Sequence, residues 1–543
     1  MAPYEALVDM GSNGIRFSIT DVSPELARCL PTVFSERLGV SLYDAQWRDG
    51  QRVPIPPETM QQVVTAFRRF KTVCQDVGVE QDRIRVLATE ATRTAPNSHE
   101  FMRQLRAATG WEVTLLSKEE EGILGAHGIA SSFDEVRGLC MDLGGGSTQL
   151  SWIYTENGQV RTSEAAVSLP YGAAALTKNP PSRDEMLANL SAAYSSLKLP
   201  TELTSLSADG SFNLYLSGGG FRGWGFALMD QHPGVRPYPI PIINGFCVPA
   251  VTFHNTAAIV AVLSAASEQQ EPLTMHRVSK RRVSQIPAVA NLVACVAEAL
   301  PAIGNVYFCQ GGVREGRLFS ELEPRLRAQR PLLVATQQLA SKHRAQWGPA
   351  SAMGDMLAAA IESSNGPNLV NLPFALANIM YEHSSLSKDI RAAAALQYPV
   401  TGDLAGAHGL SHADRAYLAI ALCERHGGRK DLDPANGQQY DRLMQLVEAD
   451  KRWWLRYLGR VAAVFGTAYP AGMSTDAEKR ILLKHDSSSI RDDRITLVVS
   501  VSEDFYTDHL EDAIARVEKI GKKKQWLAGE EGRKVEWKLQ KTR

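Results

Sequence analysis

The sequence predicts an α/β protein built on a duplicated unit, followed by a helical half and a small α+β end piece. Three observations carry this reading. A strand–Asp–x–Gly–turn–strand unit occurs twice, around Asp9 and around Asp142. Strand patterns alternate with helical ones up to about residue 328, and beyond it helical patterns dominate until an alternating strand begins at Arg494. Repetition within a chain marks duplicated architecture, and alternation of strand and helix marks α/β units with parallel pairing.

The second copy runs Leu139, Cys140, Met141, Asp142, Leu143, Gly144, Gly145, Gly146, Ser147, Thr148, Gln149, Leu150. An apolar run delivers one aspartate, then three glycines and two hydroxyls, and an alternating strand leads away. Consecutive glycines leave no side chain between main-chain N–H groups and an anion, and an aspartate at a strand end suits Mg²⁺ bound through phosphate oxygens or water. In isolation the stretch reads equally as a tight hairpin with a bulge. Laying Asp9 on Asp142 sets Gly11 on Gly144, Ser12 on Gly145, Asn13 on Gly146 and Phe17 on Leu150. Two similar domains face to face would put two phosphate loops across one cleft.

Composition bounds the rest. A chain of 543 residues has room for three or four domains. Hydrophobic residues at 44% and charged ones at 22% are ordinary for a globular protein. The net charge of −1 offers no global attraction to nucleic acid or an anionic membrane, so neither is an expected partner. Seven cysteines without a C-x-x-C pair read as reduced thiols of a cytosolic or nuclear protein. Asp9 interrupts the only apolar stretch near the N-terminus, and no apolar run reaches the roughly 18 residues of a membrane span. The expected location is cytoplasmic, with the nucleus as a second compartment.

In chain order, 4–22 form a hairpin and 26–43 further strand and turn, and Pro54, Pro56 and Pro57 punctuate a loop. Apolar residues at Met60, Val63, Val64, Phe67, Phe70, Val73 and Cys74 have helical spacing. Ile84–Ala88 is a short buried strand, 98–109 a helix, 111–116 a strand, and a helix starts at 117–122. Glu119, Glu120 and Glu121 there have a plain explanation: Ser117 as N-cap, Glu120 at N3, and acidic residues complementing the helix dipole. Arg93 on its own reads as a surface arginine. Residues 164–172 suggest strand then turn, 182–197 a helix, and 217–225 a third glycine-rich loop. His276, Arg277, Lys280, Arg281 and Arg282 read as a solvated basic face. Helices are expected at 332–344, 350–363, 373–382, 386–396 and 411–426, and one amphipathic helix over Tyr440–Tyr457. Near the end, a strand at 494–502, a helix over Thr507–Ile520 and a strand from Lys534 make a small α+β module.

Taken together, Asp9-x-Gly11-Ser12-Asn13, Ala88-Thr89-x-Ala91-x-Arg93, Ser117-x-x-Glu120-Glu121 and Asp142-x-Gly144-Gly145-Gly146-Ser147-Thr148 resemble the exopolyphosphatase/guanosine pentaphosphate phosphatase (Ppx/GppA) family. Leu216–Gly220 and Gln310–Gly316 fit as well, so the likeness covers roughly 4–320. The opening strand and Ser41–Gln46 are closer still to a fungal retrograde-regulation branch, which relays mitochondrial state to nuclear gene expression. The resemblance implies two ribonuclease-H-like domains of the actin/Hsp70/sugar-kinase type, at 1–132 and 133–327. It also implies a helical HD-like domain at 328–485, with Gln397 and Tyr398 where the His-Asp pair would stand, and a module at 490–543.

The same resemblance assigns roles. Glu120 would position or deprotonate the attacking water, with Glu121 beside it; Asp142 would join them, and Asp9 and Asp142 would hold Mg²⁺. Arg93 would contact the phosphate chain. Gly11, Ser12, Asn13, Arg16, Gly144, Gly145, Gly146, Ser147, Thr148 and Gln149 would bind phosphate. Gly218, Gly219, Gly220, Gly312 and Arg314 would line the same cleft, the ligand being ATP, GTP or polyphosphate. Two departures bear on turnover. Gln149 stands where relatives carry Glu, and an amide is no base at neutral pH; Gly14 replaces a hydroxyl residue. Loss of a positioned base removes about 10²–10⁴ of rate. The expectation is therefore a phosphate-binding regulator with protein partners in a signalling pathway, and weak hydrolysis at most. An active hydrolase is the alternative. Dimerisation of relatives through their helical halves sets the expectation of a homodimer.

Overall fold

A computed structural model describes residues 3–48, 51–164, 166–204, 210–268, 277–339, 351–361, 369–472, 480–485, 494–527 and 529–542. His276 and the parts of the expected helices at 340–350 and 362–363 lie outside these residues. The chain divides into two compact units: Met1–His232 with Ile243–Pro331 and His408–Ser411, and Pro233–Ile242 with Leu332–Ala407 and His412–Arg543.

The first unit contains two sheets of the same plan. In the first, β1 (Tyr4–Gly11), β2 (Gly14–Asp21) and β3 (Thr32–Leu38) form an antiparallel meander, and β4 (Ile84–Ala88) and β5 (Val113–Leu115) add in parallel, in the order β3-β2-β1-β4-β5. In the second, β6 (Arg137–Leu143), β7 (Thr148–Glu156) and β8 (Gln159–Thr162) repeat the meander. There β10 (Phe212–Ser217) and β12 (Ile303–Phe308) take the parallel places, and β11 (Phe246–Pro249) adds an antiparallel edge; β9 (Val167–Leu169) pairs with β7. This is the duplicated ribonuclease-H-like arrangement. The repeat holds to the residue: Asp9 pairs across its hairpin with Arg16, and Asp142 with Gln149.

Helix α1 (Pro57–Val77) shows why these segments fold as they do. Pro57 opens it at a position where a missing N–H costs nothing, and Gly78 ends it at φ 83°. Met60, Val63, Val64, Phe67, Phe70 and Cys74 bury one face against β2, with Phe17 5.5 Å and 5.0 Å from Phe67 and Phe70. Helices α2 (Ser98–Thr109) and α3 (Lys118–Ser131) follow, and α3 carries the acidic trio.

Several expectations are corrected locally. The stretch 26–43 contains a 3₁₀ turn, β3 and the start of a short helix, Leu42–Ala45, capped by Ser41. The glycines at 218–220 are not a loop. They form the first turn of the helix Gly218–Asp230, with Gly218 at φ 87°, a conformation that other residues rarely adopt.

In the second unit the described helices are Ser351–Ile361, Leu372–Ile379, Lys388–Gln397, His412–Arg425, Pro434–Leu446 and Ala449–Ala468. The single helix expected over Tyr440–Tyr457 is thus two, broken at Val447 and Glu448, whose extended backbone caps both. Strands Ile481–His485, Arg494–Ser502 and Lys534–Thr542 form a sheet in that order. The last two are parallel and joined through helix Asp508–Ile520, capped by Thr507. No described helix is long and apolar enough to cross a membrane.

Candidate functional site

Both hairpin turns of the first unit open onto one cleft of about 1050 Å³ of space, which includes open solvent. The construction of the second turn explains its chemistry. Helix α4 (Ala173–Lys178) begins directly beneath it. The amides of Gly172, Ala173, Ala174 and Ala175 donate to the carbonyls of Gly146, Gly144, Gly145 and Gly145 at 3.2, 2.9, 3.0 and 3.1 Å. A trans peptide directs the N–H opposite to its C=O, so pinning these carbonyls on one side presents the next amides on the other, as an anion cradle. Gly172 permits the approach, because a Cβ there would lie 2.3 Å from the backbone of Gly145 and Gly146. Gly172→Ala is therefore expected to distort the loop, costing about 1–3 kcal/mol of stability together with anion affinity. Urea unfolding and phosphate calorimetry of the variant check this; native stability and affinity would refute the packing argument.

Asp9, Gly11, Ser12, Asn13, Arg16, Glu121, Asp142, Gly144, Gly145, Gly146, Ser147, Gly218, Gly219, Gly220 and Gly312 all line the cleft. The N-termini of the helices Gly218–Asp230 and Val313–Glu321, the second with its N-cap at Gly312, add further backbone donors. Five expected residues are not in the lining. Glu120 is exposed and completes a capping box: its Oε2 accepts from the Ser117 amide at 2.8 Å. Arg93 donates to the Leu116 carbonyl and lies 3.6 Å from Glu121, so it addresses the carboxylate and not the cleft. Thr148 bonds the Tyr171 carbonyl at 2.8 Å. The Gln149 amide donates to Ser168 at 3.2 Å and to the cleft-lining Ser147 hydroxyl at 3.5 Å, beside a second, smaller cavity that Glu121 and Asp142 also line. Arg314 pairs with Glu315 at 3.0 Å, and Glu315 accepts from the Gly312 amide and so shapes that turn.

The carboxylate that does face the cleft on α3 is Glu121. Burial pushes its carboxyl up to about 7, aided by Asp142, Glu90 and Asp9 and opposed by Arg93, and its Oε2 has no hydrogen-bond partner. Asp9 and Asp142 are likewise raised, chiefly by burial; Arg16 and Arg314 oppose the rise at Asp9, and the Ser217 hydroxyl opposes it at Asp142. Raised aspartates facing one cleft fit a divalent cation, which would relieve the cost of their charge. Two carboxylates completed by phosphate oxygens and waters suit Mg²⁺. Among the described residues no three His, Cys, Asp or Glu side chains form a ligand set, so such a cation would be shared with its anion.

Sequence reasoning missed the cationic wall. Arg37, Arg222, Arg281 and Arg282 line the cleft with Arg16, together with Thr89, Glu90, Ser279, Gln285 and Gln310. Arg282 is lowered to about 10 by burial and by its neighbours Arg16, Arg37 and Arg281, and Arg222 is lowered well below the usual range by burial, Arg16 and Arg282. Like charges held this close favour a polyanion. The signal for Arg281 and Arg282 was present as a basic run; their direction was not.

Residues 18–325 match the Ppx/GppA phosphatase family, and residues 330–543 match the RTG2 C-terminal domain. The chain is 38% identical over 491 residues to Retrograde regulation protein 2 of Saccharomyces cerevisiae, covering 87% of this chain and 82% of that protein. Among solved structures it is similar to the Aquifex aeolicus PPX-GPPA enzyme, at 22% identity, 59% of this chain, 100% of that one and a TM-score of 0.46. An exopolyphosphatase from Cytophaga hutchinsonii gives 16%, 59%, 99% and 0.43. On a family match that spans more than half of its residues and a relative aligned over most of its length, the chain belongs to the Ppx/GppA phosphatase family.

Proposed function

We propose that the cleft binds a condensed phosphate, either polyphosphate or the phosphate chain of ATP or GTP. Its occupancy would govern which regulatory protein the chain engages in communication between mitochondria and nuclear transcription. The observation that carries the binding half is the 144–147 loop, whose carbonyls are pinned from behind and whose amides face five arginines across the cleft. The regulatory half rests on the 38% identity to Retrograde regulation protein 2. The glycine amides take the terminal phosphate, Arg16, Arg222 and Arg282 neutralise its neighbours, and Asp9 and Asp142 would hold Mg²⁺. The cation supplies charge neutralisation at the phosphate oxygens when bound.

A second reading, slow hydrolysis, is favoured by Glu121. Its raised carboxylate, whose Oε2 accepts no hydrogen bond although Arg93 lies 3.6 Å from it, suits a general base for an aligned water, a role this reading moves from Glu120 to Glu121. Calorimetry with ATP, GTP, guanosine pentaphosphate and long-chain polyphosphate in Mg²⁺, with phosphate release followed in parallel, tests both readings. Binding of at least one ligand by the wild type and loss in Gly145→Asp is expected, since a Cβ at Gly145 already lies 2.3 Å from the Asn13 amide. Equal binding by both proteins would end the cleft reading. Release no greater than that of Glu121→Ala would leave binding without turnover.

A further inference from the structure

One anion already sits at the rim of this cleft. The Asp44 carboxylate, on the short helix Leu42–Ala45, accepts from Lys178 Nζ at 3.0 Å on one oxygen and from Arg281 Nη2 at 2.5 Å on the other. The same Arg281 nitrogen donates to Asn13 Oδ1 at 2.6 Å and to Ser41 Oγ at 3.0 Å. The cluster thus joins the first phosphate loop, through Asn13, to two cations from the other half of the cleft. Lys178 closes the helix whose opening amides pin the carbonyls of the 144–146 loop, so the rim cluster and that loop share one six-residue helix.

We propose that Lys178 and Arg281, the latter positioned by Asn13 and Ser41, form a phosphate subsite in which Asp44 holds the place of the ligand. Its natural occupant is a phosphate group of a condensed phosphate long enough to run from the 144–147 loop to this rim. The chemistry of the donors supports the class. A primary ammonium and a guanidinium converging on two oxygens match a phosphate as well as a carboxylate, and a phosphate carries more charge; Asn13 Oδ1 and Ser41 Oγ accept from the guanidinium and hold it in place. The exposure supports exchange: the side chains of Asp44, Lys178 and Arg281 are 39%, 45% and 38% exposed, and ion pairs this open hold weakly. Nearby Arg37 and Arg282 line the cleft and attract the incoming chain, so a polyanion displaces Asp44 by competing for Arg281.

This inference rests on the condensed-phosphate reading of the cleft, and the test separates the two. Inorganic tripolyphosphate is titrated into the full chain with Mg²⁺ as wild type, Asp44→Asn and Asp44→Asn/Lys178→Gln. Asparagine preserves the shape, and the Ser41 cap is made to the Asp44 backbone amide at 3.1 Å, so the short helix is retained. The single variant is expected to bind about fivefold tighter, the scale of one exposed ion pair, and the double variant to lose that gain. If the wild type binds and Asp44→Asn binds equally or more weakly, the subsite is refuted while the cleft stands. If the single variant gains and the double variant keeps the gain, the gain does not pass through Lys178 and the subsite is again refuted. Binding by none of the three removes the cleft reading and the subsite with it.

Discussion

Glu121→Gln is expected to stabilise the protein at alkaline pH by about 3 kcal/mol while removing about 10²–10⁴ of any phosphate-releasing activity. The sign follows from the direction of the shift. The folded carboxyl titrates near 7, above its ordinary 4.5, because burial disfavours the charged form. The native state therefore binds a proton that the unfolded chain has released between these values, and stability present below pH 4.5 is lost as pH rises through 7. Glutamine has no such proton, so variant and wild type should match near pH 4.5 and diverge up to about pH 8. Urea unfolding of both proteins across that range, without phosphate or divalent cations, measures the divergence; parallel curves would show that the carboxyl is not held raised. A residue whose removal stabilises the fold is one retained for another reason, and Glu121 is the cleft-facing carboxylate nearest to that description.

The largest purely structural effect is expected in the second unit. Glu424, 2% exposed on the helix His412–Arg425, accepts from Arg460 at 2.6 and 2.8 Å and from the Tyr440 hydroxyl at 2.6 Å, with Arg456 3.9 Å away. Arg456 in turn reaches the wholly buried Glu530 at 2.7 Å, which ties the helices to the C-terminal module. Alanine at 424 leaves the cations without their shared counter-ion, and breaking a buried pair from one side costs about 3–5 kcal/mol. For a unit of this size that is a fall in Tm of about 10 °C. Glu424→Gln keeps hydrogen bonding and should fall between; a thermal scan in which Glu424→Ala melts with the wild type would contradict the network.

Much of the fold was legible because its signals are local. Helix α1 declares itself through Pro57, Gly78 and an apolar face at helical spacing, and the two Asp-x-Gly hairpins through their repetition. The hairpin and phosphate-loop readings of residues 139–154 turn out to be one object, since the turn of the β6–β7 hairpin is itself the loop at the cleft. The break at Val447 and Glu448 was missed because the apolar period runs on through it, while the interruption is made by backbone direction. Gln149 illustrates the limit of reading a substitution from its type. It sits across its hairpin from Asp142 as Arg16 sits across from Asp9, yet it is absent from the cleft lining and its amide bridges Ser168 to the cleft-lining Ser147.

By itself the sequence determined the duplicated α/β plan, the two turns and the three glycine-bearing entries to the cleft, because each depends on residues within a few positions of one another. Asp9, Arg16, Glu121 and Asp142 were expected at that cleft, but the rest of its charged lining and the choice between Glu120 and Glu121 were decided by the tertiary structure. Glu120 and Glu121 are adjacent in sequence, yet helical geometry turns one to cap the helix and the other inward. Arg281 lies 268 positions from the Asn13 it contacts, and only the packing of one half of the cleft on the other makes a basic run into a phosphate-facing wall.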